Sequence, residues 1–171
     1  FPNDFNTFIN YGCVLKELGK IKEAEIYLKK SIELEPNIDI SYINLAAVQK
    51  DLKKLIEAEK NILKAINLNP KSALAFNNLG NILREKEKIQ DAEKSYRKAI
   101  ELNPKYYLAY NNLGSLLSTK GDLLGAEELT KKAIDINSKF ELAYVNLGAI
   151  KADLDKLDEA EYYFQSAIKI K

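Results

Sequence analysis

Apolar and small residues recur along the chain in the same order five times, with a period of 34 residues and no insertion or deletion. One column holds only glycine or alanine, at Gly12, Ala46, Gly80, Gly114 and Gly148. A second column holds only alanine, at Ala24, Ala58, Ala92, Ala126 and Ala160. A fixed period of this length predicts an array of stacked structural repeats that bury a continuous core between neighbours.

Each repeat contains two amphipathic segments. If the Gly/Ala column is position 8, the repeats are 5–38, 39–72, 73–106, 107–140 and 141–171, and residues 1–4 have the phase of a preceding repeat's tail. Positions 4, 7, 8 and 11 are mostly apolar or small, the spacing of one stripe on a helix, here called helix A. The second segment, helix B, ends at Asn-Pro in the second and third repeats (Asn69–Pro70 and Asn103–Pro104), because proline cannot continue a helix. The chain is thus predicted to be all-α, with residues 1–171 forming a single array of helix pairs.

Composition excludes several classes of function. The net charge is only +1, which argues against binding to duplex nucleic acid. No apolar run approaches about 18 residues, so no membrane span is expected. The chain has no His and one Cys, with no phosphate-binding loop, metal-ligand spacing or nucleophile motif. We therefore expect no enzyme activity, metal or cofactor, and the lone Cys13 and lack of a signal peptide favour a cytoplasmic location.

The repeat pattern resembles the tetratricopeptide repeat family. The resemblance rests on the aromatic-x-x-Leu-Gly run of helix A (Phe76, Leu79 and Gly80 in the third repeat), on Ala92 at position 20 and on Pro104 at position 32. It extends over the whole chain. It implies a right-handed superhelical solenoid of five antiparallel helix pairs, whose concave face is built from helices A and binds peptides or proteins.

A column of asparagines follows the face of helix A opposite the core stripe. At 100° per residue, positions 2, 6, 9 and 13 point away from that stripe. Position 6 is Asn in every repeat, at Asn10, Asn44, Asn78, Asn112 and Asn146. An Asn amide offers one acceptor and two donors, which suits the alternating N–H and C=O groups of an extended peptide. Peptide capture is one interpretation, and the others are that these residues cap or bridge neighbouring helices or reflect a coding bias.

Further residues are expected to line the same groove: Asn77, Asn81, Asn111, Leu74, Leu108, Lys50 and Arg84. Position 13 is acidic in four repeats and position 12 is basic in three, so a partner with mixed charges would fit, with a basic segment near the acidic column. The asparagine column resembles the one in the superhelix of O-linked N-acetylglucosamine transferases. Acidic pairs at positions 19 and 21 of helix B, such as Glu23 and Glu25, are interpreted as solvated residues at a helix start.

The last helix carries Tyr162, Tyr163 and Phe164 where other repeats mostly place polar residues. Since an end repeat needs a polar outer face, we expect a further repeat, a partner chain or a second copy to cover these aromatics. The phase of residues 1–4 also suggests an excerpt from a longer array.

Three functions are compatible with these features. The first is a non-catalytic protein-interaction scaffold whose groove holds an extended peptide. The second is a substrate-recruiting module of a larger enzyme, such as a glycosyltransferase. The third is a structural or self-assembling spacer without a peptide ligand.

Overall fold

A computed structural model describes residues 4–170. This range contains ten α-helices and no β-strand, which confirms the all-α fold class. The helices are α1 (Phe5–Glu17), α2 (Ile21–Leu34), α3 (Asp39–Asp51), α4 (Leu55–Leu68), α5 (Ala73–Glu85), α6 (Ile89–Leu102), α7 (Tyr107–Thr119), α8 (Leu123–Ile136), α9 (Glu141–Asp153) and α10 (Leu157–Lys169). Odd-numbered helices are the predicted helices A, and even-numbered helices are the predicted helices B. Of the predicted tail 1–4, only Asp4 lies within the described residues, and its carboxylate accepts a hydrogen bond from Thr7 N at 3.2 Å to cap α1.

The helices form two compact parts, which we describe separately: an N-terminal part that ends at Ala92 and a C-terminal part that begins at Glu93. In the N-terminal part, α1 packs on α2 and α3 packs on α4, while α2 contacts α3 and α4 contacts α5. In the C-terminal part, α7 packs on α8, α8 on α9 and α9 on α10. The organisation of residues 1–171 as a single array stays a prediction.

A left-handed residue at position 15 connects helix A to helix B in every repeat. In the first repeat, Lys20 N–H donates to Leu15 O at 2.8 Å and Gly19 N–H donates to Lys16 O at 3.0 Å, the hydrogen bonds of a Schellman motif. Position 15 has positive φ throughout, at Gly19, Lys53, Glu87, Gly121 and Asp155. Three repeats therefore hold a side chain in a conformation that favours glycine.

The predicted apolar columns form the core. Leu15, Ala24 and Leu28 of the first repeat pack with Leu45 and Val48 of the second in one buried cluster. The alanine at position 20 is buried in all five repeats. Core packing between consecutive repeats thus follows directly from the sequence period.

The small residue at position 8 allows helix B to approach helix A closely. A Cβ on Gly12 would lie 2.7 Å from Leu28 Cγ, and one on Gly148 would lie 2.8 Å from a ring carbon of Phe164. Leu28 and Phe164 both occupy position 24. In the first and fifth repeats, the absence of a Cβ at position 8 therefore makes room for the large side chain at position 24.

Candidate functional site

The face of helix A opposite the core is accessible in both parts of the chain. Most residues expected to line it are exposed or half-buried: Asn10, Asn44, Asn78, Asn112, Asn146, Asn81, Leu74, Leu108, Lys50 and Arg84. The helical geometry that separated this face from the core stripe accounts for their exposure.

Asn77 and Asn111 are not exposed on this face. Both occupy position 5 and are buried, with 4% and 2% of their surface exposed, although an exposed position in the groove was expected. Asn146 Nδ2 on α9 donates a hydrogen bond to Asn111 Oδ1 on α7 at 2.9 Å. Position 5 of α7 therefore points toward the next helix A, and Asn111 serves as an interhelical acceptor.

A pocket of about 310 Å³ lies on the predicted face between α1 and α3. Its lining comes from α1, α2 and α3: Gly12, Cys13, Lys16, Glu17, Leu28, Asn44, Ala47 and Val48. The small residues at position 9, Cys13 and Ala47, leave the space that the sequence pattern predicted.

Several amides of the position-6 column are not hydrogen-bonded within the protein. The side-chain amides of Asn10, Asn44 and Asn78 make no hydrogen bond to any other residue of the range 4–170. Asn146 bonds Asn111 through its Nδ2 atom. The structural interpretation of the column thus holds for Asn146, whereas the side chain of Asn44 lines the pocket without a hydrogen bond to the described residues.

Charged residues next to this face are paired between neighbouring helices A. Lys16 on α1 lies 3.3 Å from Asp51 on α3, and Lys50 on α3 lies 3.3 Å from Glu85 on α5. Burial would raise the pKa of Glu85, but hydrogen bonds from Lys53 and Lys50 outweigh it and lower the pKa. These pairs neutralise Asp51 and Glu85, so the acidic column offers a basic partner less charge than the sequence suggested.

Cys13 lies in the pocket without the features of a reactive thiol. Burial raises the pKa of its thiol, with a smaller opposing effect from Lys16. A thiol with a raised pKa is protonated at neutral pH and is a poor nucleophile. We therefore interpret Cys13 as a small residue that leaves room in the pocket, not as a reactive thiol.

A second column of identical residues, missed by the sequence interpretation, joins consecutive repeats. Position 21 is Glu in every repeat, and Glu25 is buried rather than solvated, with Lys54 of the next repeat at 2.7 Å. Burial would raise the pKa of Glu25, but hydrogen bonds from Lys54, Lys29 and Gln49 lower it to about 2. The interpretation of position 21 as a solvated helix-start acid is therefore wrong for Glu25, whereas Glu161 of the last repeat is exposed as that interpretation expected.

The same contact recurs along the chain with different lysines. Glu59 pairs with Lys86 and, at 3.6 Å, with Lys88. Glu93 lies 2.6 Å from Lys120. The repeated glutamate therefore ties each helix B in these pairs to the following repeat.

The aromatic cluster of α10 is partly accessible. Tyr162 is exposed and Tyr163 is half-buried, with their ring centroids 5.2 Å apart in an edge contact. Phe164 covers Gly148 yet keeps 38% of its surface exposed. Self-association through these residues stays a prediction.

Residues 4–170 contain no group of three His, Cys, Asp or Glu side chains arranged to hold a metal ion. None of the helices in that range combines the length and apolar character that crossing a bilayer requires.

Family models described as tetratricopeptide repeat match residues 5–38, 40–72, 73–106, 95–128 and 142–171. None of the proteins with curated functions is significantly similar to this chain.

Solved structures with the same fold are numerous. A crystal structure of MamA is 28% identical, with 93% of each chain covered and a TM-score of 0.73. TTC0263, a thermophilic tetratricopeptide repeat protein of Thermus thermophilus, is 19% identical, with 96% of this chain and 90% of that chain covered and a TM-score of 0.88. YrrB, described as having an unusual peptide-binding site, is 22% identical, with 99% of this chain and 87% of that chain covered and a TM-score of 0.65. These similarities confirm the fold.

Proposed function

Since the chain belongs to the tetratricopeptide repeat family, we propose that the face of its helices A binds an extended peptide of a partner protein through the side-chain amides at position 6. The match to the family and the similarity to its solved structures support a role as a protein–protein interaction scaffold. The proposal adds that the scaffold is non-catalytic, that its ligand is a peptide main chain, and that it works in the cytoplasm.

The observation that carries this proposal is the amide of Asn44. It lines a pocket of about 310 Å³ and makes no hydrogen bond to other residues between 4 and 170. The Asn44 side chain is half-buried, so its one acceptor and two donors are open to solvent and available to a ligand. A peptide bond laid across the pocket would supply one N–H donor and one C=O acceptor to this amide.

Asn146 shows how the protein orients such an amide in advance. Its Nδ2 atom is held by Asn111 Oδ1 at 2.9 Å, and Asn111 is itself buried. The bond fixes the plane of the Asn146 amide, and its Oδ1 atom accepts nothing from the described residues. A fixed acceptor loses less conformational entropy on binding than a free one.

The paired charges favour recognition of the main chain over recognition of charged side chains. Lys16, Lys50, Asp51 and Glu85 already satisfy one another. Exposed ion pairs of this kind contribute roughly 0–1 kcal/mol each, so exchanging them for contacts with a charged ligand gains little. We therefore expect this face to discriminate only weakly between peptides of different charge.

YrrB is named for a peptide-binding site, and it shares the fold of this chain at 22% identity. At that identity the likeness supports a scaffold able to carry such a site. The location of the site in this chain is proposed from its own amides and pocket.

The test is a binding screen with a library of fluorescently labelled random peptides. Replacing Asn44 and Asn78 together by Ala is expected to weaken the best binder roughly tenfold or more, equivalent to about 1.4 kcal/mol. Asn67→Ala is the matched control, because Asn67 is an exposed residue of helix α4 and lies outside this face. Circular dichroism verifies that the variants stay folded. Unchanged affinity in the double variant, or equal loss in the control, would exclude the asparagine column from binding.

A further inference from the structure

Helix α1 leaves uncovered a face that its counterparts bury. Val14 at position 10 is 49% exposed, whereas its counterpart Val48 on α3 is completely buried. Tyr11 at position 7 is likewise exposed, and its counterpart Leu45 belongs to the buried core cluster. The exposed side chains of α1 are therefore those that α3 packs against the repeat before it.

Helix α10 leaves uncovered the complementary face. Ile168 at position 28 is 74% exposed, whereas Ile32 of α2 packs against the core cluster. Phe164 at position 24 is partly exposed, and its counterpart Leu28 is completely buried in the same cluster. Leu157 at position 17 is also exposed. The outer face of α10 thus has the residue classes that α2 uses to hold α3.

The two uncovered faces carry the same positions that pack against each other between the first and second repeats. Between the first and second repeats, the apolar cluster takes positions 17, 24 and 28 from the first repeat and positions 7, 10 and 14 from the second. On α10 the first set is Leu157, Phe164 and Ile168, and on α1 and its turn the second set is Tyr11, Val14 and Leu18. We propose that a second copy of this chain docks head to tail, with α10 of one copy against α1 of the next, and so rebuilds this cluster between molecules.

Charge complementarity supports the same register. Glu25 at position 21 pairs with Lys54 at position 16 of the next repeat at 2.7 Å. The corresponding residues of the two uncovered faces are Glu161 and Lys20, both exposed and neither in an ion pair with any residue from 4 to 170. Docking in the register of the repeats would bring Glu161 of one copy to Lys20 of the other. The second copy therefore fits this surface in both apolar pattern and charge.

The proposed contact is heterologous, because each copy contributes a different face. Such a contact leaves one face of each kind free after every addition, so copies add without a fixed limit unless a ring closes. A symmetric contact between two α10 helices would instead stop at a dimer. Substitutions that alter only the α1 face or only the α10 face distinguish the head-to-tail contact from the symmetric one.

The test uses the 171-residue chain, with mass measured by light scattering and sedimentation over a range of concentrations. The unchanged chain is expected to grow with concentration beyond its single-chain mass of 19.4 kDa. Ile168→Asp disables only the α10 face and Val14→Asp disables only the α1 face, so each variant alone is expected to be a monomer. An equal mixture of the two should form a one-to-one dimer and nothing larger, because one intact face of each kind remains.

Ile56→Asp is the matched control, since Ile56 is 77% exposed on α4, away from either face. This variant should assemble like the unchanged chain, and circular dichroism should show equal helix content in all variants. An unchanged chain that stays monomeric at every concentration overturns the proposal. So does a Val14→Asp variant that still dimerises, or a mixture that remains monomeric.

Discussion

The carboxylate of Glu127 on α8 lies 2.7 Å from the ammonium group of Lys151 on α9, which joins the fourth repeat to the fifth. Lys151 is 2% exposed, and its second partner is Glu159 at 2.6 Å. Burial would lower the pKa of Lys151, but these two carboxylates outweigh it and raise the pKa. The lysine therefore stays charged in a buried position because both acids are present.

Removing one acid from this contact should destabilise the protein more than removing the lysine. Glu127→Gln leaves a buried ammonium with one carboxylate, and we expect a loss of about 1–3 kcal/mol in the free energy of unfolding. Lys151→Leu should change it by less than about 1 kcal/mol, because Glu127 keeps Lys131 at 2.5 Å and leucine occupies position 11 in three other repeats. Urea unfolding of both variants measures the two values. A larger loss for Lys151→Leu would contradict this account.

Stability should fall in acid as the position-21 glutamates take up protons. Hydrogen bonds from Lys131 and Lys151 lower the pKa of Glu127 to about 2, and the pKa of Glu25 is also about 2, against an ordinary value of 4.5. Since the folded-state pKa is the lower one, this contribution is fully present above pH 4.5 and is lost as the pH falls towards 2. Urea midpoints measured across that window should decrease steadily.

The double variant Glu25→Gln/Glu127→Gln provides the control for this pH dependence. Both side chains then lack a titrating carboxyl, so the urea midpoint should decline less steeply in acid than it does in the unchanged chain. An equally steep decline in the double variant would assign the acid sensitivity to other groups.

The strained turn between α5 and α6 should be improved by glycine. Glu87 has φ of 59°, and no ion pair of Glu87 occurs among residues 4–170. Glu87→Gly removes the steric penalty of a left-handed side chain and should raise the free energy of unfolding by about 0.5–1 kcal/mol. Gly121→Ala, at the same turn position with φ of 85°, should lower it by about 1 kcal/mol. Thermal unfolding midpoints that move in the opposite directions would refute the turn assignment.

A buried hydroxyl in the fourth repeat should be dispensable. Thr130 Oγ1 is buried and has no hydrogen-bond partner within the described part of the chain. Thr130→Val keeps the shape of the side chain and removes the unsatisfied group, so we expect a gain of about 1 kcal/mol. Ser31→Ala is the control, because Ser31 Oγ donates to Leu28 O at 2.7 Å and its loss should not stabilise the protein. Calorimetry of the two variants checks the difference.

The period of the sequence predicted most of the fold. The same residue classes return every 34 residues, so a single repeat defined both helices and the columns of Leu45 and Ala58 that become buried. The exposed face was also predictable, because rotation by 100° per residue separates position 6 from the core stripe.

Two features depend on neighbouring repeats and could not be read from one helix. Asn111 is buried because position 5 of α7 points toward α9, a contact that a helical wheel does not contain. Glu25 is buried because Lys54 of the next repeat approaches it. The identical glutamates at position 21 were visible in the sequence, and a column as uniform as the asparagines was the available signal.

The side-chain amide resonances of the asparagines test the central claim most directly, during titration of the isotope-labelled protein with the best peptide from the screen. We predict that the Asn44 and Asn78 amide signals shift with peptide concentration at the affinity measured independently, while the Asn67 signal stays in place. Shifts confined to residues of helices B, with Asn44 and Asn78 unchanged, would contradict peptide capture by the asparagine column.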